Sequence, residues 1–507
     1  MQMRPFFLLS LMPSLKRASA SDGSLSLLPA QKPLTFQYST KTPDKKNWIG
    51  IWEPFSGPDN EAAQHSKYSV AWKHVTGAQG TTQLHVSDVK PGLYKAYFLA
   101  KDGYKFLAPP VDVYVPGLGS LAFAVDSITT HNARQGDAFE AKVDGLLLNR
   151  TDSDVVFSKA SGDNWVHVSS DGVVSGTPSA AEETHVTIEA STSDHKSTAS
   201  LSVKIPVRKA GTPLVEKLCV MSYNLWVGGT FINDYARKQA RFLADSNCDI
   251  IGVQETEGFH AKRIAYMMGY HVLQGRDASI LSRYPIVETM AQTQAGVGAR
   301  IQLGDADSQV IIWNAHLAYQ DYGPYSFCYD KKSAKAVVDD ENKVGRGPQL
   351  REVLKAMAPQ IANAGHVPVL LVGDFNAPSH LDYTPATKAK HCGAGKVEWP
   401  TSVEPVKAGL VDSFRAFYPD PAAEPGITWS PINPTNNQYD KPEPQDRIDF
   451  IYHKGLEVLR SSTAMVGKPH PNPDSANNEW TTDHKAVITL FRVPSHQPPS
   501  GARLQHN

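Results

Sequence analysis

Six short apolar runs between residues 219 and 491 of this 507-residue chain each carry a polar residue at or beside one end. The clearest is VPVLLVGDFNAPSHLDY at 367–383. Its Val369, Leu370, Leu371 and Val372 make a continuous apolar stretch suited to a strand covered on both faces. The run stops at Asp374 and Asn376, separated by Phe375. Residues two apart in a strand share a face, so Asp374 and Asn376 can address one space while Phe375 enters the packing. Gly373 allows close backbone approach. CVMSYNLW ends at Asn224 and DIIGVQET at Glu255; VIIWNAHL delivers Asn314 and His316. QDRIDFIY carries Asp449 between Ile448 and Phe450, and TTDHKAVITLF sets Asp483 and His484 just ahead of its strand. Each alone has an ordinary reading: an Asx turn closed by Pro378, a satisfied core amide, a structural histidine. So many polar strand ends in one domain are hard to assign to turns alone.

Between these runs the period changes. INDYARKQARFLADSN has Ile232, Tyr235, Ala236, Gln239 and Phe242 at roughly helical spacing, and PQLREVLKAMAPQIANAG reads as a second helix capped by Gly365. Alternating helices and strands fit layered α/β packing. The segment 323–347 is long for a connection and follows His316, so it reads as a loop rimming a cleft. Its Tyr325, Tyr329, Lys331 and Lys332 are candidate contacts to an anionic ligand, with solvated loop charge as the plainer reading. Upstream the pattern is that of an all-β region. WIGIW at 48–52 and the run at 92–115 alternate, with a hairpin turn at Asp102-Gly103. The length predicts about three domains: β-sandwiches at 31–116 and 119–207, both immunoglobulin-like, then an α/β domain at 213–493 after the linker RKAGTP. Residues 494–507 read as a disordered tail.

The ordered series SYNLW, QE, SRYPI, NAHL, GDFN, RIDFI and TDH resembles the endonuclease/exonuclease/phosphatase superfamily, over about residues 215–493. The resemblance implies a four-layer α/β sandwich, deoxyribonuclease I-like, with two mixed sheets face to face and helices outside. It also implies hydrolysis of phosphoester bonds with Mg²⁺, with Mn²⁺ or Ca²⁺ as alternatives. Carried over by residue, Glu255 is the expected principal metal ligand, with Asn224 its neighbour and Asp483 a further metal-site candidate. Asp374 is expected to orient or activate water, Asn376 to donate to the phosphate, and His484 to act as the catalytic histidine oriented by Asp449. His316 resembles the second histidine of the deoxyribonuclease I and sphingomyelinase branches. Trp226 stands where abasic-site endonucleases carry an acid, and Gln445 where inositol phosphatases carry a cysteine; both departures argue against those branches.

The chemistry accounts for these residue types. A phosphodiester repels hydroxide, so a site must neutralise phosphoryl oxygens and hold a water in line with the leaving oxygen. A hydrated Mg²⁺ needs only one or two carboxylates. With 50 basic and 51 acidic residues the chain lacks the basic excess of a dedicated nucleic-acid binder. The expected substrate is therefore a phosphodiester of a lipid head group, a nucleic acid or a small organic phosphate, and the β-domains are candidate binders of a surface or polymer. An inactive binding protein is the competing class, disfavoured because every ligand-bearing position keeps a competent side chain.

Residues 1–22 have Arg4, a short apolar stretch and Ala18-Ser19-Ala20, the pattern of a secretory leader, so an extracellular location is expected. No later segment is apolar enough to span a bilayer. Among four cysteines, Cys328 and Cys392 could tie two loops near the cleft, while Cys219 and Cys248 read equally as buried thiols.

Overall fold

The structure is a computed structural model that describes residues 23–28, 34–53, 56–59, 68–85, 89–115, 117–150, 154–343 and 345–494. The expected leader at 1–22 and the tail beyond Pro494 lie outside the described residues. The chain divides into two compact units, 1–115 and 116–507.

The first unit is all-β. Trp48–Trp52 pairs antiparallel with Ala71–His74 and Gly92–Leu99, and the latter with Val111–Val115; Gly23–Leu27, Thr35–Thr40 and Gln79–Gln83 form a second sheet. Phe36 and Tyr38 of one sheet share a core with Ile49, Ile51, Phe98 and Val113 of the other. The turn expected at Asp102-Gly103 is displaced by one residue. Lys101 and Asp102 take the left-handed φ values of 52° and 58°, and Gly103 N–H donates to the Ala100 carbonyl.

The second unit holds two six-stranded mixed sheets. In the first, the order is His271–Leu273, Ser279–Ser282, Ile250–Gln254, Lys217–Asn224, Ala486–Arg492, Glu457–Ala464. In the second it is Ile286–Thr289, Gly296–Gln302, Gln309–His316, Val369–Asp374, Asp449–Lys454, Val411–Asp412. Their inner faces meet through Leu218, Val220, Ile250 and Ile280 against Val297, Ile301, Ile312 and Leu370. Strands buried on both faces need continuous apolar runs, which is what the sequence supplies. Helix Arg346–Ala362 covers the outer face of the second sheet with Leu350, Val353 and Met357, and helices Tyr235–Ser246 and His260–Met268 cover that of the first. Those layers make a four-layer α/β sandwich.

Residues 119–207, read from sequence as a domain of their own, belong to this second unit. Their Leu146, Ile188 and Val203 join one apolar cluster with Phe242, Ile264 and Met267 of the helices. Arg134 adds a bidentate pair to Asp305 at 2.8 and 2.7 Å.

Three local expectations change. The segment 323–347 is no loop: Gly323–Cys328 and Ala334–Glu341 are helices, the second capped by Ser333, and Arg346 begins the third. Helix Arg346–Ala362 ends at Asn363, two residues short of Gly365. Both cysteine pairs are disulfides, Cys328–Cys392 as anticipated and Cys219–Cys248 in place of two thiols.

A buried ion network fixes the strand that carries Asp449. Arg447 donates to Asp382 at 3.0 Å and to Asp412 at 3.1 Å, and Arg415 donates to Asp382 at 2.5 Å. Removing one partner strands a buried charge. Arg447→Ala is therefore expected to cost about 3–5 kcal/mol of folding free energy, read as a lower denaturation midpoint in urea at pH 7.

Candidate active site

Strand register assembles the site. Gln309–His316 runs parallel to Val369–Asp374 with His316 opposite Asp374, and Asp449–Lys454 runs antiparallel with Asp449 opposite Asp374. Three polar residues thus lie side by side at one edge of the second sheet. In the first sheet Asn224 lies opposite Gln254, so Glu255 emerges one residue later, and Asp483 and His484 precede the neighbouring strand. Gly373, at φ 147°, is required here: a Cβ would sit 1.9 Å from the Ala315 carbonyl oxygen of the strand bearing His316.

All eight residues singled out from the sequence converge, and all but Glu255, His316 and Asn376 are buried. Asp374 is the hub. Its Oδ2 accepts from Asn224 Nδ2 at 3.0 Å and lies 3.5 Å from His316 Nε2 and 3.6 Å from His484 Nε2. Asn376 reaches this space by an Asx turn rather than by strand alternation. Its φ is 49°, its N–H donates to Asp374 Oδ1 at 2.8 Å, and Phe375 packs against Phe450 and Tyr452. The turn reading and the site reading hold together. Asn376 Nδ2 donates to the Leu317 carbonyl at 3.0 Å and lies 3.1 Å from His316 Nε2.

Each imidazole has its own carboxylate: His484 Nδ1 is 2.9 Å from Asp449 Oδ2, and His316 Nδ1 is 2.5 Å from Asp277 Oδ2. Burial alone would depress both rings. Asp449 and Asp374 outweigh it at His484, holding that ring well above the usual histidine range, and Asp277 and Asp374 lift His316 to about 9. Burial raises Asp374 to about 6 against the pull of His484 and His316, and raises Asp483 to about 7.

A family model described as the endonuclease/exonuclease/phosphatase family matches residues 221–484, which begin in the strand of Asn224 and end at His484. The chain belongs to the endonuclease/exonuclease/phosphatase family. It is a metal-dependent phosphoric ester hydrolase, the activity that this family implies. An uncharacterized Caenorhabditis elegans protein is 34% identical over 288 residues, 54% of this chain and 90% of its own length. Among solved structures, truncated Caenorhabditis elegans TDP2 is 16% identical, covering 55% of this chain and 98% of its own at a TM-score of 0.36. The human Nocturnin catalytic domain is 14% identical, covering 55% and 96% at a TM-score of 0.37.

Two donor sets in this family member suit a divalent cation. Glu255, at φ 57°, is aimed by Val227 N–H on Oε2 at 2.6 Å and Asn224 Nδ2 on Oε1 at 3.1 Å, with lone pairs left over. Near it Asp483 Oδ1, buried, has no hydrogen-bond donor among the described residues. The second set is Asp374, Asp449 and His484, whose ligand-type atoms lie within 4.8 Å of one another. Both sets offer carboxylate oxygens, and the second adds an imidazole nitrogen.

The sequence reading passed over Asp277, yet it stands just before strand Ser279–Ser282, one more polar residue at a strand end. It also left open what Asn314 does. That amide is a stitch between sheets, donating to the Val253 and Ser279 carbonyls at 2.8 and 2.7 Å and accepting from Gln254 Nε2 at 2.6 Å.

Proposed function

We propose that this chain is a secreted, Mg²⁺-dependent phosphodiesterase that cleaves its substrate by in-line attack of water on phosphorus. The observation that carries the reading is the convergence of two imidazoles, each backed by its own carboxylate, on one oxygen of Asp374. Two cationic donors 3.5 and 3.6 Å from that oxygen suit the two non-bridging oxygens of a phosphodiester.

Glu255 and Asp483 are assigned to hold the cation, with Asn224 orienting Glu255. When bound, Mg²⁺ would neutralise phosphoryl oxygens and favour ionisation of water. Asp374, raised to about 6, can accept the proton of the attacking water. His484, oriented by Asp449, donates to the phosphoryl group or the leaving oxygen. Asn376 and a protonated His316 Nε2 cannot both donate across the 3.1 Å that separates them. An arriving phosphoryl oxygen gives each the acceptor it lacks.

This arrangement makes His316 dependent on Asp277. Asp277→Asn keeps an acceptor for Nδ1–H but removes the charge, so the histidine value falls from about 9 towards its ordinary range. The alkaline limb of kcat/KM is expected to move down by at least one pH unit, with activity at pH 6 less affected than at pH 8.5.

The β-regions are assigned immunoglobulin-like folds that place the enzyme on a surface or polymer; the two-sheet core of the first supports this. Two disulfides support an oxidising compartment. The test is turnover of plasmid DNA, sphingomyelin and bis(p-nitrophenyl) phosphate by the purified chain with Mg²⁺ and with EDTA. Mg²⁺-dependent cleavage, with ¹⁸O from solvent water entering the phosphate product, supports the reading. Inertness towards all three overturns it.

A further inference from the structure

A cavity of about 340 Å³ opens beside Asn376 and runs away from the site along Tyr319, Tyr322, Tyr325, Trp429 and Tyr439. It is continuous with the catalytic groups, since Asn376 Nδ2 is 3.4 Å from Asp374 Oδ2 and the Trp429 ring centroid is 5.0 Å from that of His484. Among the described residues, no lysine or arginine lines it; Asp321 does. Behind the aromatic wall stand two buried acids held by neutral donors. Glu443 accepts from Tyr325 Oη at 2.8 Å, Trp429 Nε1 at 3.3 Å and Asn436 Nδ2 at 2.8 Å. Asp446 accepts from Tyr322 and Tyr383 hydroxyls, both at 3.0 Å. Burial lifts the Asp446 carboxyl to about 7, and His391 Nε2 lies 3.8 Å from it; among the described residues no lysine or arginine pairs with either acid.

Electron-rich rings backed by an uncompensated carboxylate attract a cation, and a poorly hydrated ammonium gains most because it loses little water on entry. The cluster already draws one: Lys441 Nζ stands 5.5 Å from the Tyr329 ring centroid, and Tyr329 stacks on Tyr439 at 4.2 Å. A nucleic-acid strand would instead require basic side chains for the phosphates flanking the cleaved bond. We propose that this cavity is a head-group subsite for a quaternary ammonium, so that the diester cleaved is a choline ester of phosphate. The inference rests on the phosphodiesterase reading above and narrows it. Water oxygen adds to phosphorus, the bond from phosphorus to the other alcohol breaks, and that alcohol leaves with a proton while choline stays on the phosphate.

The test compares p-nitrophenyl phosphocholine with its neutral isostere, p-nitrophenyl 3,3-dimethylbutyl phosphate, in which carbon replaces nitrogen. The charged ester is expected to have a kcat/KM about tenfold higher or more. Glu443→Gln and, as a variant less exposed to folding loss, Tyr439→Leu are each expected to bring the ratio below about threefold. A second arm needs no turnover: choline chloride in EDTA should quench tryptophan fluorescence at concentrations at which 3,3-dimethylbutanol does not. Equal rates for the two esters, or equal quenching by the two alcohols, overturns the subsite. Loss of all hydrolysis with choline quenching retained would instead strike the phosphodiesterase reading. Phosphatidylcholine vesicles and glycerophosphocholine then separate the two sources of the group, and cleavage of either supports the assignment.

Discussion

His484→Ala is expected to lower kcat on bis(p-nitrophenyl) phosphate by about 10² to 10⁴-fold, with a much smaller change in KM. The ring sits at the junction of the site: Nδ1 on Asp449 at 2.9 Å, Nε2 3.6 Å from Asp374, one face towards Trp429. On the proposed mechanism its proton serves the negative charge that grows as the bond to the leaving group breaks, so its removal is expected to act on the transition state more than on binding. The backbone is held independently. His484 N–H donates to Thr482 Oγ1 at 3.1 Å and its carbonyl accepts from Trp480 Nε1 at 2.6 Å, so the variant should keep its far-ultraviolet spectrum. A folded variant with wild-type kcat would remove His484 from the chemistry.

Glu255→Gln is expected to raise the Mg²⁺ concentration for half-maximal rate by about 10 to 100-fold. The substitution keeps the length of the side chain and an oxygen for Val227 N–H, at 2.6 Å in the wild type, but deletes the charge that would face the cation. Activity should recover at high Mg²⁺, which separates a lost ligand from a lost catalyst. Unchanged metal dependence would move the ion to Asp374, Asp449 and His484, the other set of converging atoms. Titrating Mg²⁺ against rate for both proteins decides between the two positions.

The catalytic layers were legible in the sequence because each strand buried on both faces must be apolar throughout. A polar residue at its end therefore stands out against Leu370–Val372 or Ile250–Val253. The eight residues meet because parallel pairing puts His316 opposite Asp374 and antiparallel pairing puts Asp449 there too, a register that strand ends in sequence already suggest. Asp277 escaped because its strand, Ser279–Ser282, is short and opens on serine, so no apolar run pointed to it. The helices in 323–341 escaped because Phe327 and Val337 bury in a cluster with Tyr383 and Trp399, contacts across some sixty residues of sequence that no local period reports. The merging of 119–207 with the catalytic layers is of the same kind. Its strands look complete in themselves, yet Leu146 and Ile188 belong to one apolar cluster with helices more than fifty residues away.

The most direct test of the central claim is the rate of bis(p-nitrophenyl) phosphate hydrolysis by the purified full chain, measured with Mg²⁺ and with EDTA for wild type and His484→Ala side by side. Turnover by the wild type that EDTA abolishes and the substitution nearly abolishes is the predicted result. Equal rates for the two proteins, or no turnover by either with Mg²⁺ present, would contradict it.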